Sequence, residues 1–395
     1  MVAFSDDGSI LLVANEGESA GDDNEPGEVP NPNGSVSIIN INAASLSDSV
    51  VTTLDFTDPS ITFDSLEALG VRVNRDAPSA AADIEPEYIT IEGNAAYITL
   101  QENNAVAVIK DITNPTTLTI NDILPLGTKD HSVEGNGLDA SDKDGGINIA
   151  NYDVQGLYMP DEIASYTYRG VKYFVTANEG DGRDVDESRG HDLVDGDPSN
   201  GEIDASEVSA ELQAQLADDA QLGRLKFSNV DGDTDGDGLI EELHSFGARS
   251  FSIWDEDGNL VFDSGDLIAQ VTAELTPELF NADDGDPAEF DKRSDDKGAE
   301  PEAVTIGEVN GHTYAFVGLE RSGGGVLVFD ITKPTDVEFI QYIRTDGDIA
   351  REGLDFIAAQ DSPIGVPLLA VANEVSGTTS LYQINFDGKT IKGTN

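Results

Sequence analysis

Apolar residues in this chain fall in short runs that alternate with polar ones, and the runs are parted by Gly, Asp and Asn. That is the period-two signature of strands joined by tight turns. Within it one pattern recurs: an apolar strand ends in a carboxylate, a polar or glycine turn follows, and a second alternating strand comes next. The first half occupies residues 12–17, 98–103, 175–180, 316–321 and 370–375, and in every copy the fifth residue is a glutamate: Glu16, Glu102, Glu179, Glu320 and Glu374. The second half follows at 34–41, 104–112, 325–331 and 378–384. After Glu179 the partner strand is delayed to 248–254, which predicts an insertion over 181–244.

An acidic strand start precedes these pairs as Glu85-Pro86-Glu87, Glu300-Pro301-Glu302 and Arg351-Glu352-Gly353, with Asp161-Glu162-Ile163 in the same place before Glu179. Each unit thus reads as three or four short antiparallel strands. Five such units predict an all-β fold, a β-propeller of about five recognisable blades forming one domain over 1–395. A β-sandwich is the alternative, but it gives no reason for the same acid at the same strand position each time. In a propeller the innermost strands surround one channel, so Glu85, Glu87, Glu179, Glu300, Glu302 and Glu374 are expected at one mouth of it, as metal ligands. Like charges so gathered need cations or raised pKa values. The competing reading is that each glutamate caps its own turn.

The insertion carries a signal of its own. Residues 205–222 have a helical composition, with Leu and Ala spaced for one amphipathic helix. Beyond them Asp231, Asp233, Asp235, Gly236 and Glu242 match the calcium loop D-x-D-x-D-G-x5-E in full. A second register starts at Asp233, with Asp235 and Asp237 as ligands and Gly238 at the turn, but it puts His244 last. Calcium takes about six to eight hard oxygens, and alternate Asp side chains in a tight loop converge on one point. Both registers predict bound Ca2+.

Seventy-seven acids against 21 bases leave a net charge of −56. Nucleic acid is excluded as a docking partner, because phosphates need a basic surface. The acidity suits a solubilising surface, cation ligation, or both. Cysteine is absent, which excludes disulfides, thiol catalysis and thiolate-held zinc. No apolar run approaches the roughly 18 residues of a membrane span. The first residues have neither the basic nor the apolar region of a signal peptide. Calcium sites are most useful outside the cell, so an extracellular or cell-surface location is expected, with any export signal outside this sequence. The chain begins inside a strand unit at Val2-Ala3-Phe4 and stops soon after 382–386, so a fragment or an incomplete ring is expected.

Several stretches occur together: EPEYITI, AYITLQENNAVAVI, PLGTKDHS, GNGLDASDKDGGINI, FGARSFSIWD, RSDDKGAEPEAVTIG and TYAFVGLERSGGG. In combination they resemble the bacterial choice-of-anchor I proteins. That domain is shared with echinoderm mesenchyme-specific cell-surface glycoproteins and atypical bacterial alkaline phosphatases. The resemblance implies a secreted or surface-anchored propeller of up to seven blades, distantly related to the phytase-like propellers. Two functions follow. A calcium-dependent phosphatase or phosphodiesterase would send a metal-bound water at a phosphoester. Lys129, His131, Arg249 and Arg321, which lie in the resembled motifs, would serve the phosphoryl group as catalytic residues. The alternative is a non-catalytic acidic surface protein that binds calcium, a biomineral or an adhesion partner. No G-x-S-x-G nucleophile elbow is present.

Overall fold

In the strand Ile10–Asn15 the side chains of Ile10, Leu12 and Ala14 are buried while those between them are not, which is the alternation read from the sequence. The computed structural model describes residues 1–17, 32–386 and 391–394. Four-stranded antiparallel sheets of this kind recur five times. The first is Val2–Phe4, Ile10–Asn15, Ser35–Asn40 and Val50–Asp55. The second is Pro86–Glu92, Ala95–Leu100, Ala105–Ile109 and Asp122–Pro125. The third is Ile163–Tyr168, Val171–Asn178, Ser250–Asp255 and Leu260–Asp263. The fourth is Pro301–Val309, His312–Leu319, Val326–Asp330 and Glu338–Ile343, and the fifth Arg351–Ile357, Leu368–Asn373, Thr378–Phe386 and Ile391–Thr394.

The first strand of each sheet lies against the first strand of the next, from Val2–Phe4 through to Arg351–Ile357. Apolar layers fill the spaces between sheets. Ile38 and Ile98 belong to the layer between the first and second, and Phe174 and Tyr97, with ring centroids 5.2 Å apart, to that between the second and third. Val175 and Phe329 belong to the layer between the third and fourth, and Phe316 and Val371 to that between the fourth and fifth. Sheets two, three and four are covered on both faces, and in sheet two Ala95–Leu100 and Ala105–Ile109 are buried at every position. In the fifth sheet Val371 and Asn373 are buried while Ala372 and Glu374 are exposed. The molecule is therefore an all-β, propeller-like succession of separate sheets.

Three of the first strands share a device that matters for the site. Pairing slips between Pro86 and Ile89, between Pro301 and Val304, and between Arg351 and Gly353. Proline has no N–H for the ladder, and a bulge re-aims the residue beside it. The re-aimed residues are Glu87, Glu302 and Glu352.

Close approach between sheets has its own requirement. A Cβ on Gly34 would stand 2.1 Å from the Ile84 carbonyl oxygen and 2.5 Å from the Pro86 ring. Gly34→Ala is expected to destabilise the protein by about 1–3 kcal/mol, because the neighbours are backbone and a ring that cannot yield. A urea denaturation midpoint equal to that of the parent chain would overturn this.

The insertion is a sheet, not the loop with one helix that the sequence suggested. Glu187–Arg189, Lys226–Ser228, His244–Ser245, Gln155–Leu157 and Thr128–Asp130 form five short strands, two of them drawn from before residue 181. Leu212, Leu216, Leu225, Phe227 and Ile240 make its separate core. The helix expected over 205–222 is confined to Ala210–Leu216, capped by the Ser209 hydroxyl. After it, Asp218 accepts from the Ala220 N–H and turns the chain. The insertion leaves and rejoins the third sheet through a narrow neck, where a Cβ on Gly180 would lie 2.1 Å from the Gly247 Cα.

Candidate functional site

Carboxylates from the second, third, fourth and fifth sheets converge where the first strands run side by side. Burial, with Glu102 and Asp161 beside it, pushes the Glu87 carboxyl well above the ordinary glutamate value. Asp161 is raised in the same way, by burial and then by Glu179, and Glu162 by burial with Glu352 nearby. Glu302 is pushed up to about 12 by burial, with Glu179, Glu320, Asp161 and Glu352 adding to it. Glu320 rises to about 9 by burial and the charge of Glu300. Glu87, Glu102, Asp161 and Glu302 each keep one buried carboxylate oxygen without a hydrogen-bond partner. Buried charged oxygens are normally paired or bound to an ion.

A second group of acids beside these is already answered. Carboxylate oxygens of Glu179, Glu300 and Glu320 lie within 4.8 Å of one another. Lys297 Nζ reaches Glu179 at 2.6 Å and Asp181 at 2.7 Å, Arg293 Nε reaches Glu300 at 2.6 Å, and Arg321 Nη2 reaches Glu320 at 2.7 Å. Three carboxylates thus face three cations. Arg183 does the same for Glu85, at 3.1 Å, and also contacts Asp83. A cleft of about 510 Å³ opens onto Glu87 and Glu102 of the first group and onto Arg293 and Lys297, the cations of the second, and is lined by Glu16, Glu85, Arg183 and Lys226 as well.

Of the six glutamates expected at one mouth, five are in this region and Glu374 is not. Glu374 is exposed, because one face of the fifth sheet is open and period two turns its side chain outward. Glu352, on the first strand of that sheet, takes its place. Glu102, Asp161, Glu162, Glu320 and Glu352 stand at repeat positions legible in the sequence. The cations Arg183, Arg293 and Lys297 come from irregular segments with no such signal.

The expected catalytic side chains are dispersed. Lys129 is buried and donates to the carbonyls of Ala248 and Gly265, with Asp263 at 3.0 Å. His131 is buried, its Nδ1 is 2.6 Å from the Asn136 carbonyl, and burial drives its pKa down to about 3, so the ring is neutral. Arg249 donates to the carbonyls of Asp139, Ser294 and Asp296, and burial lowers its pKa to about 10. None of the three lines the cleft. Arg321 alone reaches the acids, at Glu300 and Glu320.

In the insertion loop, carboxylate oxygens of Asp233, Asp235, Asp237 and Glu241 lie within 4.8 Å of one another. Asp233 is held in place by the N–H groups of Gly236 and Gly238, at 2.7 and 2.9 Å. Asp235 is raised, chiefly by Asp237. Asp231 turns away from this group to Arg72, at 2.6 Å, and Glu242 turns to His244, at 3.1 Å. The carboxylates that meet therefore start at Asp233 and finish at Glu241, one residue before the glutamate that the motif assigned.

Separate sheets in series, with acids from four of them meeting beside their first strands, define a class of repeat-built, acid-centred all-β proteins. Within that class the chain belongs to the choice-of-anchor I family, whose domain model matches residues 1–334. It is 30% identical over 294 residues to the mesenchyme-specific cell surface glycoprotein of Strongylocentrotus purpuratus, covering 67% of this chain and 36% of that protein. It is 30% identical over 187 residues to Gigasin-3a of Magallana gigas, covering 42% of this chain and 66% of that protein. The chain thus spans less than two thirds of either relative. Among solved structures, an exo-1,5-alpha-L-arabinanase from a bovine ruminal metagenomic library aligns with 100% of this chain and 95% of its own, at 11% identity and a TM-score of 0.32. Among the described residues no helix is long and apolar enough to cross a membrane.

Proposed function

We propose that this chain is a calcium-binding surface protein, a β-propeller whose sheets are blades around an acidic channel. One calcium centre would lie among Glu87, Glu102, Asp161 and Glu302, and a second among Asp233, Asp235, Asp237 and Glu241. The observation that carries this is the set of four buried carboxylate oxygens with no partner, in a region where neighbouring acids have their own cations. A divalent ion with oxygen preference would answer buried oxygens of this kind. The name of the sea-urchin relative, a cell surface glycoprotein, supports an extracellular or surface location.

Calcium titration by calorimetry tests the two centres separately. Asp235→Ala is expected to abolish the loop site and leave the channel site, because the loop loses one of four converging oxygens. Glu302→Gln is expected to do the reverse, weakening channel binding about tenfold or more. An unaltered stoichiometry and affinity in both variants would refute the assignment.

One observation favours a second reading, a calcium-dependent phosphoester hydrolase. Arg183, Lys226, Arg293 and Lys297 line the same cleft as Glu85, Glu87 and Glu102, which sets cations for a phosphoryl group next to carboxylates for a metal. On this reading the metal would supply an activated water, and Arg183 and Lys297 would orient the anion. Hydrolysis of phosphomonoester and phosphodiester probes with calcium, lost in Glu302→Gln without a change in melting, supports the enzyme. Calcium binding with no turnover of either probe leaves the binding protein.

A further inference from the structure

Two arginines are buried among the described residues, Arg72 and Arg351, and their surroundings differ. Arg72 has Asp186 at 2.8 Å and Asp231 at 2.6 Å. Arg351 is 0% exposed, donates Nη1 to the Asn373 side-chain oxygen, and leaves Nε and Nη2 buried without a partner. Even Arg249, which has no carboxylate in ion-pair reach, places its fork on three carbonyl oxygens. Arg351 has no such set.

The guanidinium lies between the fourth and fifth sheets. The Arg351 Cβ is 3.0 Å from where a Cβ on Gly318 would stand, and Asn373 is its pairing partner in the fifth sheet. The acid that bears on it is Asp348, whose two oxygens are taken by the hydroxyls of Thr378 and Ser380. Arg344 bears on it with the opposite sign, adding a second positive charge to the neighbourhood. Burial disfavours the charged form, as the lowered pKa records, yet a guanidinium stays protonated in proteins. An isolated buried cation is held only when an opposite charge accompanies it.

We propose that Arg351 binds a small monovalent anion of the chloride class between the fourth and fifth sheets, accepted by its Nε–H and Nη2–H. These two donors form the fork edge that takes anions side-on. The full burial of the side chain favours a small ion, and the charge of Asp348 nearby favours a single negative charge over a phosphate or sulfate. This anion is independent of the calcium reading, since the one side chain that Arg351 donates to is Asn373 and none of the four proposed calcium ligands.

The test uses the full chain in saturating calcium. Crystals grown with bromide in place of chloride are expected to show an anomalous peak at the Nε and Nη2 edge of Arg351. In solution, chloride at tenfold its dissociation constant should raise the melting temperature by about 2 °C over gluconate at equal ionic strength. Arg351→Met should remove that difference. An ordered water at the edge with no bromide signal overturns the proposal, and so does equal melting of the parent chain in the two salts. If Arg351→Met does not fold, the bromide map of the parent chain decides.

Discussion

In chelator the melting temperature of this protein should fall as pH rises from about 7 to about 9, and calcium should flatten that slope. The sign follows from the channel acids. Glu320 titrates at about 9 in the fold and Glu302 at about 12, against 4.5 for an ordinary glutamate. A carboxyl whose folded pKa is raised contributes stability below its unfolded value and loses it progressively as pH climbs toward the folded one, because the folded state then binds more protons than the unfolded. Other groups have to be kept out of the window. Asp7, Asp58, Asp111 and Asp204 are lowered from 3.8 by hydrogen bonds from nearby Ser and Thr, so they act below about pH 4. His131, at about 3 in the fold and 6.5 outside it, destabilises only as pH drops below about 6.5. Above pH 7 these groups hold the same charge in both states. On the proposed function calcium replaces the protons on Glu302 and the other three carboxylates of its centre, so with the ion bound their part of the slope is lost while that of Glu320, paired with Arg321, stays. Parallel curves with and without calcium, at one ionic strength, would remove the channel centre.

How far the fold could be read beforehand depended on repetition. A glutamate at the fifth position of five copies aligned the repeats with one another, and Pro86 and Pro301 stand in two of the three first strands whose pairing slips. The clustered acids were legible for that reason. What escaped was whatever depends on distant partners or on too few residues. Glu374 has the same local sequence as Glu16 and Glu179, but the cover on its sheet face decides its direction. Asp231 fits the calcium motif and is drawn out of it by an arginine 159 positions earlier. The insertion strands Glu187–Arg189, Lys226–Ser228 and His244–Ser245 have two or three residues each, too few for an alternation to show. Lys129, His131 and Arg249 were singled out because they lie in the resembled motifs, and in the fold each contacts a backbone carbonyl in the interior.

Arg72 marks the joint between these two parts of the molecule, and replacing it with Met should destabilise the protein by about 3–5 kcal/mol. Its Nε reaches Asp231 at 2.6 Å, Nη2 reaches Asp186 at 2.8 Å, and Nη1 donates to the Glu102 carbonyl at 2.9 Å. One guanidinium thus fastens two points of the insertion to the strand end that carries a channel acid. Burial opposes its charge, and Asp231 and Asp186 more than offset that. Methionine fills the stem but leaves the carboxylate of Asp186, 1% exposed, with Asn74 and a distant Arg183 at 3.9 Å as its remaining partners. An uncompensated buried charge is what makes such a loss large. Asp186→Asn added to Arg72→Met should therefore recover part of it, which a purely steric effect would not allow. Arg75→Met, three residues further along the chain in exposed pairs with Asp64 and Glu67, should leave melting unchanged. Hydrogen exchange should show where the damage lies: amides of Glu187–Arg189 and Lys226–Ser228 lose protection in Arg72→Met while those of Ala105–Ile109 keep it. Uniform loss across both regions would mean that the insertion and the sheets unfold as one unit, and that Arg72 is not the joint between them.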